Sequence, residues 1–237
     1  MRPARPRPGS INIITKGDIS QGTDASGNPI AGGFINNNAI WAVNNGTGGI
    51  SVDSSAATLR ASGWGGIYAN NANASSTGDI VIQSGDIPVA QDAVIRAVQA
   101  GTGNISVDST AGTLTTTYND GIGDGIYARI NNASSAGNIN ITAGEIKNYT
   151  GIAGSSFTSP QGLTWFVETE NDGTGGTTVN ATKDFTLASG VSGSGINVYQ
   201  PNANAGGDIS VTTKNISVSG VGVQVGDGAV VSDSIVA

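Results

Sequence analysis

The tetrapeptide Gly66-Ile67-Tyr68-Ala69 decides the fold, because close variants of it recur along the chain. Each copy has an apolar residue, a variable residue and a small apolar residue in succession. This alternation is typical of a short strand with one buried face, so the variable residue is expected to point outward. The other copies are Ala39-Ile40-Trp41-Ala42, Val94-Ile95-Arg96-Ala97, Gly125-Ile126-Tyr127-Ala128, Gly195-Ile196-Asn197-Val198 and Gly222-Val223-Gln224-Val225.

Two further strand motifs recur between these copies. One has the form Gly-x-Ile-x-Val/Ile, as in Gly103-Asn104-Ile105-Ser106-Val107, and a shorter one follows it, as in Gly112-Thr113-Leu114. The copies alternate between two kinds, so that a long repeat of about 55–60 residues contains two sub-repeats of about 27–31 residues. Each sub-repeat holds three short strands separated by Gly, Asn, Asp and Ser turns, which favours an all-β fold.

Repeats of this size cannot bury a face alone and must stack on their neighbours. A hydrophobic content of 37% with 37 glycines also favours a thin core repeated many times. The sequence therefore predicts a single parallel β-helix over residues 11–237. It should have roughly eight turns, each with three strands, and a length of about 40 Å. Residues 1–10 form a basic, Pro-rich tail, and the excess length near residues 149–161 predicts a protruding loop.

Composition excludes several classes of function. The chain has no Cys and no His, which removes thiol catalysis, Ser-His-Asp triads and Cys/His zinc sites. Its net charge of −7 leaves no basic face for nucleic acid. No cofactor is expected.

The chain has no apolar run of the roughly 18 residues that a membrane helix needs. The basic segment MRPARPRP at residues 1–8 is not followed by the apolar stretch of a secretory signal. We therefore expect a piece of a longer protein, or what remains after a signal is removed.

The repeats resemble a known family. Gly78-Asp79-Ile80-Val81-Ile82, Gly66-Ile67-Tyr68-Ala69 and the segment Gly46 to Asp53 are similar to repeats of bacterial autotransporter passengers and of filamentous-haemagglutinin-type adhesins. The resemblance covers about residues 11–225. It implies a right-handed β-helix displayed on, or released from, the outer surface of a Gram-negative bacterium. Such passengers are normally followed by an outer-membrane β-barrel, which is not present in this chain.

The best candidate site is the set of variable residues in the opening motif. Trp41, Tyr68, Arg96 and Tyr127 belong to four consecutive turns and should form a line on one face. Aromatic rings beside a guanidinium would stack on sugar rings or on partner side chains. The alternative is a ladder that only stabilises neighbouring strands.

Catalytic and metal sites find less support in the sequence. Asp53 and Asp108 occupy equivalent turns, as structural corner residues do, whereas a catalytic cluster should occur once. Asp120 and Asp124 form a dense local pair. Gly121-Ile122-Gly123-Asp124 is similar to part of a calcium-binding nonapeptide, which needs tandem copies, and only one is present.

We therefore expect a non-enzymatic adhesin or binding rod that presents its side to a glycan, or to a host or neighbouring cell. The first alternative is a polysaccharide lyase or glycosidase on the same scaffold. The second is a structural spacer. An enzyme should show a cluster of Asp, Lys or Arg at one height, and a spacer should show neither a cluster nor an aromatic line.

Overall fold

The computed structural model describes residues 9–21, 38–61, 65–90, 93–116, 123–148, 164–187, 192–227 and 234–236. The expected basic tail falls almost entirely outside these ranges, and the expected protruding loop and Asp120 fall outside them altogether. Every secondary-structure element in the described residues is a β-strand. These residues include no helix that is long and apolar enough to cross a membrane.

The strands form three faces, and each face receives one strand from every turn. The first face is an eight-stranded sheet of β1 (Ile11–Ile14), β4 (Ile50–Ser54), β7 (Ile80–Ser84), β10 (Ile105–Asp108), β13 (Ile139–Ala143), β16 (Thr177–Ala181), β19 (Ile209–Thr212) and β22 (Ser234–Val236). The second is a seven-stranded sheet of β3 (Ile40–Asn44), β6 (Ile67–Asn71), β9 (Ile95–Gln99), β12 (Ile126–Ile130), β15 (Trp165–Asn171), β18 (Ser194–Gln200) and β21 (Val223–Asp227).

The third face consists of shorter strands in two sheets. One contains β2 (Ile19–Gln21), β5 (Leu59–Ala61), β8 (Ile87–Ala90), β11 (Thr113–Thr116) and β14 (Glu145–Asn148). The other pairs β17 (Phe185–Thr186) with β20 (Ile216–Ser217). All described pairs are parallel and join strands three apart in sequence order, as β4 joins β7 and β6 joins β9. The chain is therefore a parallel β-helix with three strands per turn, as the sequence predicted.

Apolar ladders fill the interior. Ile67 pairs in register with Ile40 below and Ile95 above, and all three are at most 5% exposed. Ala69 lies two residues further along and is fully buried. The inward positions of the eight-stranded sheet, such as Ile80 and Ile105, pair in the same way. One short apolar segment per strand is therefore enough to close each turn of the core.

The glycine that opens the tetrapeptide is required by close packing across the interior. A Cβ added to Gly66 would lie 2.6 Å from Cγ2 of Ile87, and one added to Gly125 would lie 2.6 Å from Cγ2 of Ile146. Ile87 and Ile146 are both buried on the third face. The glycine thus lets the start of the second sheet approach the third.

The number of residues in a turn varies along the rod. Register partners Ile80 and Ile105 are 25 residues apart, whereas Ile139 and Thr177 are 38 residues apart. The longer turn contributes Phe166 to the core, where it stacks on Phe185 of the following turn with ring centroids 4.7 Å apart. Both rings are fully buried, so bulkier side chains fill the interior at this level.

Buried amides close the corner that follows the seven-stranded sheet. Asn44, Asn71, Gln99, Asn171 and Gln200 occupy its last inward position and are all nearly inaccessible. Asn171 Nδ2 donates to the Gly175 carbonyl at 3.2 Å, and its Oδ1 accepts from the Gly173 amide at 3.0 Å. These bonds satisfy backbone groups that the tight corner removes from the ladder.

Two kinds of corner alternate at this edge. A short Gly-Thr-Gly corner follows Asn44, Gln99 and Asn171, and in each case the side-chain oxygen accepts a glycine amide two residues on. A longer corner follows Asn71, Ile130 and Gln200, and there Asn71 Oδ1 and Gln200 Oε1 have no hydrogen-bond partner. Ile130 is fully buried between Gln99 and Asn171. Among these residues, the amide oxygen therefore accepts a backbone amide only at the short corners, whereas the amide nitrogens of Asn71 and Gln200 still bond glycine carbonyls.

We expect Asn171→Leu to lower the free energy of unfolding by about 2 kcal/mol or more, since it leaves buried backbone groups unpaired. The matched variant Asn71→Leu should cost clearly less, because Asn71 Oδ1 accepts no hydrogen bond, whereas Asn171 Oδ1 accepts the Gly173 amide. The carbonyl that each amide bonds keeps a second donor in both variants, Gln99 Nε2 for Gly78 and Gln200 Nε2 for Gly175. Urea denaturation of both variants measures the difference. Equal losses would contradict the assignment of different roles to the two corners.

Candidate functional site

The outward positions of the seven-stranded sheet form a continuous line. Trp41 pairs with Tyr68, Tyr68 with Arg96, and Arg96 with Tyr127. The line then continues through Glu168, Asn197 and Gln224. We call these seven residues the outer column. The structure thus brings together the four residues that the sequence singled out, while their role in ligand binding stays a prediction.

The four residues interact in two pairs. The Trp41 and Tyr68 rings lie 4.3 Å apart between centroids at an interplanar angle of 31°, and the residue Trp41 is 59% exposed. Asn70 Nδ2 donates to the Tyr68 hydroxyl at 3.1 Å and fixes that ring. The Arg96 guanidinium lies 5.1 Å from the centroid of the Tyr127 ring, as in a cation–π contact. These contacts hold the Tyr68 and Tyr127 rings in place on the outer side of the sheet.

A second line runs beside the outer column, two residues further along each strand. It contains Arg129, which pairs in register with Glu170 of the next turn. Arg129 Nη2 donates to Asp172 Oδ2 at 3.0 Å, and its Nε lies 3.3 Å from Glu170 Oε2 without hydrogen-bond geometry. Glu168 Oε1 accepts from Asn197 Nδ2 at 3.2 Å. One guanidinium therefore serves two carboxylates, and a third carboxylate lies alongside.

Partial burial shifts the pKa values in this cluster. Burial raises the pKa of Glu170, and the neighbouring Asp172 and Glu168 raise it further, while Arg129 opposes them. Burial also raises the pKa of Tyr127, with a contribution from the negative charge of Glu170. The hydrogen bond to Asp172 raises the pKa of Arg129. The ionised form of the Glu170 carboxyl is therefore disfavoured by its surroundings.

Of the acidic residues considered for catalysis, Asp53, Asp108 and Asp124 lie in the described ranges, and each accepts hydrogen bonds that support the fold. Asp53 Oδ1 accepts from the Ser55 hydroxyl at 2.7 Å, and Asp108 Oδ1 accepts from the Thr110 hydroxyl at 2.6 Å. The bond to Ser55 holds the pKa of Asp53 below its ordinary value. Asp124 is fully buried and accepts the Trp165 amide at 3.1 Å. Within the described ranges, no three acidic residues are arranged to hold a metal ion.

Sequence reasoning misses the cluster of Glu168, Glu170 and Asp172, because it searches the corners for acidic pairs. The available signal is the alternation in Glu168-Thr169-Glu170, which places both glutamates on the outward face of one strand. The motif alignment of Ile126 with Val167 also places Arg129 opposite Glu170, which is the register that the structure has.

We expect Glu170→Gln to lower the pKa of Tyr127, because it removes a negative charge that disfavours the phenolate. Arg129→Met should raise the pKa of both Glu170 and Tyr127, since Arg129 lowers both. Titrations followed by NMR of labelled tyrosine and carboxyl carbons measure these shifts. Glu145→Gln, on the third face, is the control and should leave Tyr127 unchanged. Shifts of the opposite sign would exclude the described contacts.

The chain was compared with protein-family models, curated proteins and solved structures, and none of them matched it.

Proposed function

We propose that this chain is a non-enzymatic binding rod that presents the outer face of its seven-stranded sheet to a glycan. The observation that carries this proposal is the Trp41–Tyr68 ring pair, with Trp41 exposed and Tyr68 half-buried, in a line that continues through Arg96 and Tyr127. Aromatic faces of this kind stack on the apolar faces of sugar rings. The turns repeat about every 4.8 Å, so the line can follow an extended chain.

The contacts that fix the Trp41 and Tyr68 rings favour ligand binding, in addition to stabilising the neighbouring strands. An isolated exposed aromatic side chain would have to lose rotamer freedom when a ligand binds. Here Trp41 is held against Tyr68, and Tyr68 receives a hydrogen bond from Asn70. The platform is therefore largely ordered before contact, which lowers the entropic cost of association.

The proposed setting is the surface of a Gram-negative bacterium, where the chain acts as an autotransporter-type passenger segment, an adhesin. The support is the similarity of its repeated motifs to those passengers, together with the parallel β-helix that the motifs predict. The partner is then a glycan on a host or neighbouring cell. The net charge of −7 disfavours nucleic acid as a partner.

We expect the combined variant Trp41→Ser, Tyr68→Ser and Tyr127→Ser to lose glycan binding without unfolding the rod, because the three side chains lie outside the core. Binding of glycans on an array measures the loss, and circular dichroism reports the fold.

The matched control is the combined variant Ile14→Ser, Val81→Ser and Val221→Ser, which removes exposed apolar side chains outside the seven-stranded sheet. It should bind as the unaltered chain does. If the aromatic variant loses stability but binds normally, the column is a strand-stabilising ladder and the chain is a spacer.

A second candidate function is cleavage of a polysaccharide. It is favoured by the cluster of Glu168, Glu170 and Asp172 with Arg129, which lies on two adjacent turns of the described part of the rod. A carboxyl group with a raised pKa beside an ionised one is the arrangement that glycosidases use. Release of reducing ends from a bound polysaccharide, abolished by Glu170→Gln, would favour this function over simple binding.

A further inference from the structure

The pair Asn45-Gly46, in a short corner, combines the features that favour a spontaneous reaction of the main chain. Asn45 is the only asparagine of the sequence that is followed by glycine, and glycine hinders attack by its own nitrogen least because it has no Cβ. Asn45 is exposed and lines an open groove at this corner, so water reaches it. Within the described ranges, no hydrogen bond holds its side-chain amide.

The reaction open to such a pair is a cyclisation followed by hydrolysis. The Gly46 nitrogen loses its proton to a base of the solvent and attacks Cγ of Asn45. The new C–N bond closes a five-membered succinimide, while the Cγ–Nδ2 bond breaks and ammonia leaves. Water then opens the ring at either carbonyl, which leaves an aspartate or an isoaspartate. The net reaction consumes one water and releases one ammonia, so it needs no enzyme, cofactor or oxidant.

The residue before this pair holds the nitrogen that would have to attack. The Gly46 amide donates to Asn44 Oδ1 at 2.7 Å. Asn44 is only 6% exposed, and its Nδ2 donates to the Gly48 carbonyl at 2.9 Å, so the acceptor is itself held in place. A side-chain amide oxygen accepts a hydrogen bond but is too weak a base to remove the proton. The bond therefore keeps the Gly46 nitrogen protonated and directed away from reaction.

The other two short corners hold the glycine amide in the same way but do not carry a comparable side chain. In one of them the Gly173 amide donates to Asn171 Oδ1 at 3.0 Å, and the residue between them is Asp172. The Asp172 carboxylate also accepts from Arg129 Nη2 at 3.0 Å. In the other corner the middle residue is Ala100, whose methyl group cannot react. Of the three corners, the first is thus the one where the bond to the glycine amide is the sole restraint on a reactive amide.

We propose that Asn45 is a site of spontaneous deamidation, and that Asn44 slows the reaction by holding the Gly46 amide. This modification site is independent of the proposed glycan-binding function. Its products carry a new carboxylate four residues after Trp41. The isoaspartate form also adds one carbon to the main chain of the corner. The Asn45 carbonyl accepts from Asn73 Nδ2 of the next turn at 3.2 Å, and in isoaspartate that oxygen belongs to a carboxylate outside the main chain. The reaction therefore alters a contact between two turns.

Incubation of the folded chain in mildly alkaline buffer tests the proposal. Peptide mapping by mass spectrometry locates each deamidated residue, and electron-transfer fragmentation distinguishes isoaspartate from aspartate. We expect Asn45 to convert before the other asparagines of the described ranges. Asn44→Leu should accelerate its conversion about tenfold, the factor that loss of one hydrogen bond can supply. Asn44→Gln should keep the slow rate, because Gln99 Oε1 bonds the Gly101 amide at 3.0 Å in the equivalent corner.

Asn171→Leu is the matched control, since it removes the same kind of bond from another short corner and should leave the rate at Asn45 unchanged. Circular dichroism of each variant establishes that the compared chains are folded. An unchanged rate in folded Asn44→Leu would overturn the proposal, as would equal acceleration by Asn171→Leu, which would assign the effect to general loss of stability.

The unaltered chain provides a second measurement that does not depend on the folding of any variant. Asn45 should convert about tenfold faster in concentrated urea than in buffer, because unfolding breaks the bond between Asn44 and the Gly46 amide. Equal rates in the two solutions would overturn the role of Asn44. Faster conversion of Asn73 or Asn132 than of Asn45 in the folded chain would overturn the assignment of the site, since both of their amides are bonded to neighbouring turns.

Discussion

The satisfaction of backbone groups at the corners is the constraint on which this rod depends. Strands pair with strands, but each turn also passes through corners where backbone groups leave the ladder. Buried amides such as Asn171 and outward carboxylates such as Asp86 bond those groups, either within the same corner or in the next turn. Because these bonds fix where each strand begins, they hold the register, and a slip of one residue would turn the apolar ladders outward.

The register in turn assembles a continuous outer surface from single residues of successive strands. Each strand contributes one or two outward side chains, too few to recognise a ligand alone. Stacking places Trp41 against Tyr68 and Arg96 against Tyr127, so that neighbours in space come from motifs nearly 30 residues apart. The surface is rigid because the ladder beneath it is buried, and its chemistry can change at one turn without disturbing the core of the next.

Much of this architecture follows from the sequence, because alternation and repeat spacing are local signals. The apolar ladder through Ile67 and the outer column could both be predicted from one tetrapeptide. The contacts of Arg129 with both Glu170 and Asp172 could not, because they depend on side-chain geometry that the repeat pattern does not contain. The same holds for the core pair of Phe166 and Phe185, which accompanies the longer turn. Contacts between particular side chains therefore mark the limit of prediction from the repeats.

The alternation of corners has a consequence for how such a rod can grow. Thr102 and Thr174, in short corners, donate their amides to carbonyls of Ser76 and Ser135 in the long corners of the turns before them. Asn73 and Asn132, in long corners, donate back to carbonyls of short ones. Duplicating a single turn would bring two like corners together and leave these groups unpaired. The chain can therefore lengthen by pairs of turns, so the module that duplication copies is two turns rather than one.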